Sequence, residues 1–217
     1  MPKETFLNLP DQKRQMIEDA AIDEFAAWGY DNASITRIVE ACQIAKGSFY
    51  QYFEDKKDLY IYLIMHIGEE KLKHLSPIAR DEVTTDLFGR LAEMYRAGLS
   101  FGRSNPRAAL LGNRVYKNMD HPVHQELMAD GKELALAFYT QILETAIQRG
   151  EVRSDIDLRF AAFLLMQMNT NTIEYYFDVV KREGFDFSRM DDDVMDTVNL
   201  FLDFIKSGIG AQGGKAG

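Results

Sequence analysis

Lys46, Ser48 and Gln51 place an ammonium, a hydroxyl and a carboxamide within one short stretch, Ala45-Lys46-Gly47-Ser48-Phe49-Tyr50-Gln51-Tyr52-Phe53. Side chains of these types read hydrogen-bonding edges: in a DNA major groove Gln pairs with adenine and Lys with guanine. Phe49 and Phe53 lie four apart and share a helix face, so two phenyl rings are expected beneath a rod whose other faces carry the donors. Gly47 lets the backbone of that rod approach a large partner closely. Upstream, Ser34 to Cys42 reads as a second short helix, with Gln43-Ile44 as the connection. Ser34 suits its N-cap, and Thr36 and Arg37 near its N-terminus can converge on one phosphate; an exposed arginine with no such task is the other reading. Two short helices joined this tightly form a helix-turn-helix.

Other candidate chemistry is sparse. The one cysteine, Cys42, excludes an intrachain disulfide and reads as a small core residue beside Ile38 and Val39. His121 and His124, three apart, could pinch a metal, but Asp120-His121-Pro122 has the composition of a helix start. No Ser/His/Asp set, phosphate-cradling glycine loop or zinc-protease motif is present. The expectation is therefore a non-enzyme with no metal and no cofactor. Asn169-Thr170-Asn171-Thr172 sets four polar side chains beside an apolar stretch; they need partners, which a ligand, a second copy of the chain or water could supply.

Charge argues against nucleic acid. The 217-residue chain has net charge −9, and residues 1–57 hold 7 Lys or Arg against 10 Asp or Glu. Within residues 34–57 the count is 4 against 3, barely positive. Phosphates nevertheless meet local donors within a screening length of about 8–10 Å rather than the average of the chain. The motif outweighs the charge sum, and weak non-specific binding is expected. The longest apolar run, Phe160 to Met166, is too short to span a bilayer. With no apolar signal-peptide core at the N-terminus, a cytoplasmic protein without membrane contact is expected.

The elements that must position these residues are all helical; no strand or hairpin signal occurs. Residues Met1 to Leu9 read as a mobile arm. A helix from Pro10-Asp11 buries Ile17, Ala21, Phe25 and Trp28, with Met16 and Ala20 beside them, and ends at Gly29. After the two short helices, one from Lys56 to about Leu75 carries Leu59, Leu63 and Ile67, until Ser76-Pro77 breaks it and an acidic loop runs to about Asp86. Helices follow from Leu87 to about Gly102–Asn105, from Pro106, and from Pro122 to Arg149-Gly150. Another runs from Asp157 to about Arg182, apolar on nearly all sides from Phe160 to Met168 and therefore expected to be buried on nearly all sides. Beyond Gly184, Asp191-Asp192-Asp193 opens a last helix with Val194, Val198, Phe201, Leu202 and Ile205 on its apolar face. The final two helices suit pairing with their copies in a four-helix bundle. About nine helices result: residues 1–55 as a helix-turn-helix domain, 56–208 as a helical body, and 209–217 as a disordered Gly-rich tail.

Ser34 to Phe53, with Lys56 and Leu59 after it, resembles the DNA-binding head of the TetR family of bacterial transcriptional regulators. The resemblance is dense over about residues 12–60; beyond them it extends only to length and helix layout. Gln43 stands where the family often has glycine, and Ala45 where it often has a serine cap. The resemblance implies an all-α homodimer, paired through its last two helices, that binds a double-stranded palindromic operator and usually represses. It implies that Tyr50, Tyr52 and Lys56 contact sugar and phosphate, alongside Ser34, Thr36, Arg37, Lys46, Gly47, Ser48 and Gln51; packing is the alternative for the tyrosines. It also implies a small-molecule effector in the body, released DNA following from effector binding, with the helix from Lys56 as the lever. Phe101, Tyr116, Phe138, Met166, Asn169 and Tyr175 are the candidate effector residues, and the abundance of Met and aromatic side chains suits an apolar or amphipathic molecule. A helical module that docks proteins or lipids without DNA is the rival reading.

Overall fold

Ten α-helices and no strand make up the described residues, 1–79, 86–182 and 192–210 of a computed structural model. The chain forms two compact units, residues 1–73 with 101–127 and residues 74–100 with 128–217.

The first unit is built on α1 (Glu4–Leu7), α2 (Asp11–Asn32), α3 (Ile35–Ala41), α4 (Lys46–Tyr52), the first part of α5 (Lys56–Ala79) and α7 (Pro106–Lys117). Ile17, Ala21 and Phe25 from α2 meet Ile38, Val39 and Cys42 from the α3 region, Phe49 and Phe53, and Leu59, Tyr60 and Leu63 from α5 in one core. Burial pushes the Cys42 thiol pKa up, as befits a core residue. Gly29 has φ +71° and breaks α2 three residues before its last turn ends, a backbone position that favours glycine. At the next unit boundary in the chain, His121 accepts the Val123 amide through Nδ1 at 3.2 Å, and His124 bonds both Tyr60 Oη (2.7 Å) and Asn118 O (2.5 Å). Both histidines serve the start of α8 (Pro122–Gln148).

Two expectations for this unit, and one for the part of α5 beyond it, are corrected. The N-terminal arm is not mobile: Phe6 is fully buried, its ring 4.6 Å from that of Phe53, and α1 docks on α4. Trp28 is not core but 54% exposed, with the Arg37 guanidinium 4.8 Å from its ring centroid. Its offset of three from Phe25 carries it to the edge of the apolar stripe, where a cation covers one face. Pro77 does not break α5, which runs on to Ala79; a proline in the last turn forfeits only one backbone bond before the helix ends.

The second unit contains α6 (Leu87–Ser104) up to Ser100, most of α8, α9 (Leu158–Tyr175) and α10 (Val194–Ile209). Asp157 caps α9 by accepting the Phe160 amide at 2.9 Å. The helix then continues as a π-helical turn, Tyr176–Lys181, which ends at Arg182 with φ +55°. Leu87, Leu91, Leu143, Ala162, Leu165, Val198 and Leu202 form its core. The expected all-round burial of α9 is not met within one chain: Ala162 and Leu165 are buried, whereas Phe160, Phe163 and Leu164 are exposed. Of the remaining expectations, the acidic loop at 80–85, Gly184, Asp191 and the tail beyond Gly210 lie outside the described residues; Ile209 and Gly210 are ordered, with Arg153 N donating to Ile209 O at 3.0 Å.

Candidate nucleic-acid interface

The second helix of the pair, α4, is only about 10 Å long at 1.5 Å per residue, too short to hold itself together. Phe49 and the C-capping Phe53 anchor it from below, 1% and 0% exposed, with ring centroids 5.8 Å apart. Burial of each ring contributes about 2–3 kcal/mol. A second anchor comes from the N-terminal segment. Lys3 N donates to Tyr52 O at 2.8 Å, Lys3 Nζ to Tyr50 O at 2.9 Å, and the Thr5 hydroxyl to Gln51 O. Three successive carbonyls that a helix C-terminus leaves without partners are thereby satisfied. Nothing in the helical periodicity of α4 reveals this clamp; the only sequence signal was Phe6, an aromatic in a segment otherwise read as a tail.

The outward side matches much of what spacing implied. Lys46, Gly47, Tyr50 and Gln51 are exposed and Ser48 is half-buried. Lys46 Nζ donates to Thr36 Oγ1 at 3.0 Å, so the α3 hydroxyl and the α4 ammonium stand side by side across the turn. No protein atom lies within 4 Å of the position a Cβ on Gly47 would take. The fold therefore leaves room for a side chain there, and the bare backbone serves nothing inside the unit. Ser34 caps α3, accepting the Arg37 amide at 3.5 Å.

Three residues sit differently from expectation. Tyr52 is 7% exposed and packs on Phe6 at 5.9 Å, so the packing reading holds for it, while Tyr50 stays 47% exposed. Arg37 is committed to Glu24, with Nε at 2.9 and 3.1 Å from the two carboxylate oxygens and a further bond to Asn32 O at 2.7 Å. Lys56 Nζ donates to Asp31 O at 2.9 Å and Ala33 O at 3.2 Å, and lies 4.9 Å from the Tyr30 ring centroid.

Several acids of this unit are likewise spent on internal partners. Glu24 takes Arg37 and the Ser34 amide; Glu18 accepts the Tyr62 hydroxyl at 2.6 Å; Asp19 and Asp23 face Arg107 at 3.0 and 2.8 Å. A groove along α2 and α3 is lined by Asp19, Asp23, Glu24, Trp28, Arg37 and Arg107. Its acids give it the wrong sign for phosphate.

The candidate effector residues divide between the units. Phe101 and Tyr116 fall in the first; Phe138, Met166, Asn169 and Tyr175 fall in the second. Tyr175, with Met168, Asn171, Thr172, Thr197, Leu200, Phe201 and Phe204, lines a pocket of about 550 Å³ between α9 and α10.

An all-α chain with a tight turn before a clamped, donor-bearing second helix is by class a helix-turn-helix regulator. Residues 17–63 match the family model of bacterial regulatory proteins, tetR family. A TetR family transcriptional regulator from Chloroflexus aurantiacus J-10-fl is 34% identical, covering 98% of this chain and 100% of that one, with a TM-score of 0.66. The chain belongs to the TetR family of bacterial transcriptional regulators, whose members regulate transcription rather than catalyse reactions. A protein of Escherichia coli (strain K12) named as a probable acrEF/envCD operon repressor is 26% identical over 154 residues, 67% of each chain. FadR from Bacillus subtilis, solved in complex with stearoyl-CoA, shares the fold at 20% identity and a TM-score of 0.64, over 85% of this chain and 96% of that one. No helix among the described residues is long and apolar enough to cross a membrane.

Proposed function

We propose that the chain acts as a homodimer that binds a palindromic operator, represses, and is released by a long-chain acyl effector of the acyl-CoA class. The observation that carries the DNA half is the outward face of α4: Lys46, Ser48, Tyr50 and Gln51 around a glycine that no internal contact requires. Each subunit's α4 enters a major groove, Lys46, Ser48 and Gln51 reading base edges while Thr36, Tyr50 and the free N–H of Lys56 meet the backbone. Half-sites then lie about 34–36 Å apart, or a multiple of that.

Pairing through α9 and α10 is supported by the apolar groups those helices leave outside: Phe160, Phe163, Leu164, Tyr175, Leu200 and Phe204 are each at least 40% exposed. A stripe of that size on a single chain marks an interaction surface. The effector class rests on the fold shared with the stearoyl-CoA-bound regulator and on the apolar second unit. Release follows from the effector's differential affinity for two states of the dimer; repression is the sign suggested by the operon repressor among the relatives.

Selection of bound duplexes from a random DNA library, followed by gel-shift titration over salt, tests this reading. The expected result is saturable binding to a two-fold symmetric sequence with a negative log–log salt slope, lost on addition of stearoyl-CoA. Enrichment of no symmetric sequence would refute the DNA half. Symmetric enrichment with binding indifferent to stearoyl-CoA would refute the effector half alone.

A further inference from the structure

A helix ends with carbonyls that it cannot bond itself, and the seven-residue α4 ends without the usual remedy. Phe53 N closes the last internal bond, onto Phe49 O at 2.9 Å. Phe53 itself is extended, with φ −132° and ψ 152°, so no left-handed turn folds the chain back over the helix end. The next amide, that of Glu54, turns away to Asp58 Oδ2 at 3.1 Å. The carbonyls of Tyr50, Gln51 and Tyr52 are taken instead by Lys3, the residue before α1, and by Thr5 within it: Lys3 Nζ, the Thr5 hydroxyl and Lys3 N donate in that order. The Lys3 ammonium also sets a cation at the negative end of the helix.

The grip falls on residues whose side chains face outward. Tyr50 and Gln51 are exposed, and their backbone oxygens are the two held by the Lys3 and Thr5 side chains. The clamp therefore fixes the main chain of both residues and leaves their side chains open to a partner. Its own seat is firm. Phe6 is fully buried, with its ring centroid 5.9, 4.6 and 5.5 Å from those of Tyr52, Phe53 and Tyr62, so the segment is fastened to α4 and α5 together. The clamping side-chain bonds, by contrast, lie at the surface. Water can replace an exposed partner, so each bond adds little to the stability of the whole fold. Water does not hold the last turn of so short a helix in one conformation.

Resting on the operator reading above, we infer that Lys3 and Thr5 are positioning residues for DNA recognition, which act by holding the backbone of Tyr50 and Gln51 in the geometry that fits the duplex. Loss of either clamp bond leaves the last turn of α4 in that geometry only part of the time, and the apparent affinity for the operator falls with the competent fraction.

Two measurements on the full chain and on Thr5→Val, Lys3→Met and Thr5→Ser test this: amide hydrogen exchange across residues 50–53 without DNA, and affinity for the selected duplex. Thr5→Val and Lys3→Met should each speed exchange across residues 50–53 with exchange in α2 unchanged, and each should weaken binding about fivefold, the scale of one net hydrogen bond. Thr5→Ser, which keeps the hydroxyl, should restore both. Weaker binding with unchanged exchange would make Lys3 and Thr5 direct DNA contacts and overturn the inference. Faster exchange with unchanged affinity would overturn it too, since the clamp would then be irrelevant to recognition. Faster exchange throughout α2 would also overturn it, by revealing a general loosening of the unit. Each of these three outcomes leaves the operator reading standing. A wild type that selects no symmetric duplex removes that reading and this inference together.

Discussion

The outward face of the first unit and that of the second present opposite chemistry. Around α4 the exposed side chains carry donors, and several groups are held in place: Lys46 by Thr36, Lys56 by two carbonyls, while the last-turn carbonyls accept from Lys3 and Thr5. On α9 and α10 the exposed groups are hydrocarbon, and Phe160, Leu200 and Phe204 are 60–68% open to solvent. The first kind of surface gains specificity from pre-set polar geometry. The second gains affinity from area, with no directional demand. On the proposed reading one chain carries two partner types on separate surfaces, so substitutions on one should leave the fold intact and still remove a function that depends on both.

The largest effect tests that dependence. Leu200→Glu with Phe204→Glu places two charges on the apolar stripe without touching the core of the unit. The mass by light scattering should fall to that of a single chain, helicity should be retained, and operator affinity should drop by about a hundredfold or more as the second half-site is lost. A variant that stays dimeric would show that α10 is not the pairing surface. Next in size, Tyr50→Ala should weaken binding to the selected duplex about tenfold, with stability changed by no more than about 0.5 kcal/mol because the side chain is half exposed. Unaltered affinity would remove Tyr50 from the interface.

Lys56→Ala blurs the comparison in an informative way. The family resemblance implies a phosphate contact for Lys56, whereas its ammonium ties the start of α5 to the carbonyls of Asp31 and Ala33. The substitution should therefore lower both quantities: a reduction of the salt slope by about one and a loss of about 1 kcal/mol in urea unfolding. An effect on binding with none on unfolding would mean that the carbonyl contacts contribute nothing.

The parts of the fold legible beforehand were those governed by periodicity. Leu87, Leu91 and the stretch from Pro122 to Gln148 announced their helices through spacing, and Phe49 with Phe53 announced the buried side of α4. What escaped depended on contacts between distant segments. Phe6 has no periodic neighbours, so only Phe53, Tyr52 and Tyr62 in space explain its burial. Trp28 follows the spacing of α2 only to the edge of its apolar stripe and is half exposed, with Arg37 of another helix over one face of its ring. Tyr52 falls on the outer arc of α4 by spacing and is buried because α1 lies over it. Glu18 and Glu24 read as a charge liability and turn out to be buried acceptors with named donors.

The smallest expected effect concerns the turn itself. Gln43 adopts φ +54°, the left-handed region, where its amide reaches Glu40 O at 3.1 Å and the next amide reaches Val39 O at 3.0 Å. The connection between α3 and α4 thus has the conformation that glycine adopts without penalty. A side chain in this region costs about 1–2 kcal/mol, and glycine returns about 0.4–1 kcal/mol of that through the entropy of the unfolded chain. Gln43→Gly should therefore stabilise the first unit by roughly 0.5–1 kcal/mol in urea unfolding, the difference of those two terms. Operator affinity should stay the same, since the backbone path is already the one glycine prefers. Gln43→Val, branched at Cβ in the same conformation, should destabilise. If the glycine variant unfolded at lower urea than the wild type, the Gln43 side chain would have to be making a contact that outweighs its own backbone strain, and the turn would be held by that contact rather than by its amides.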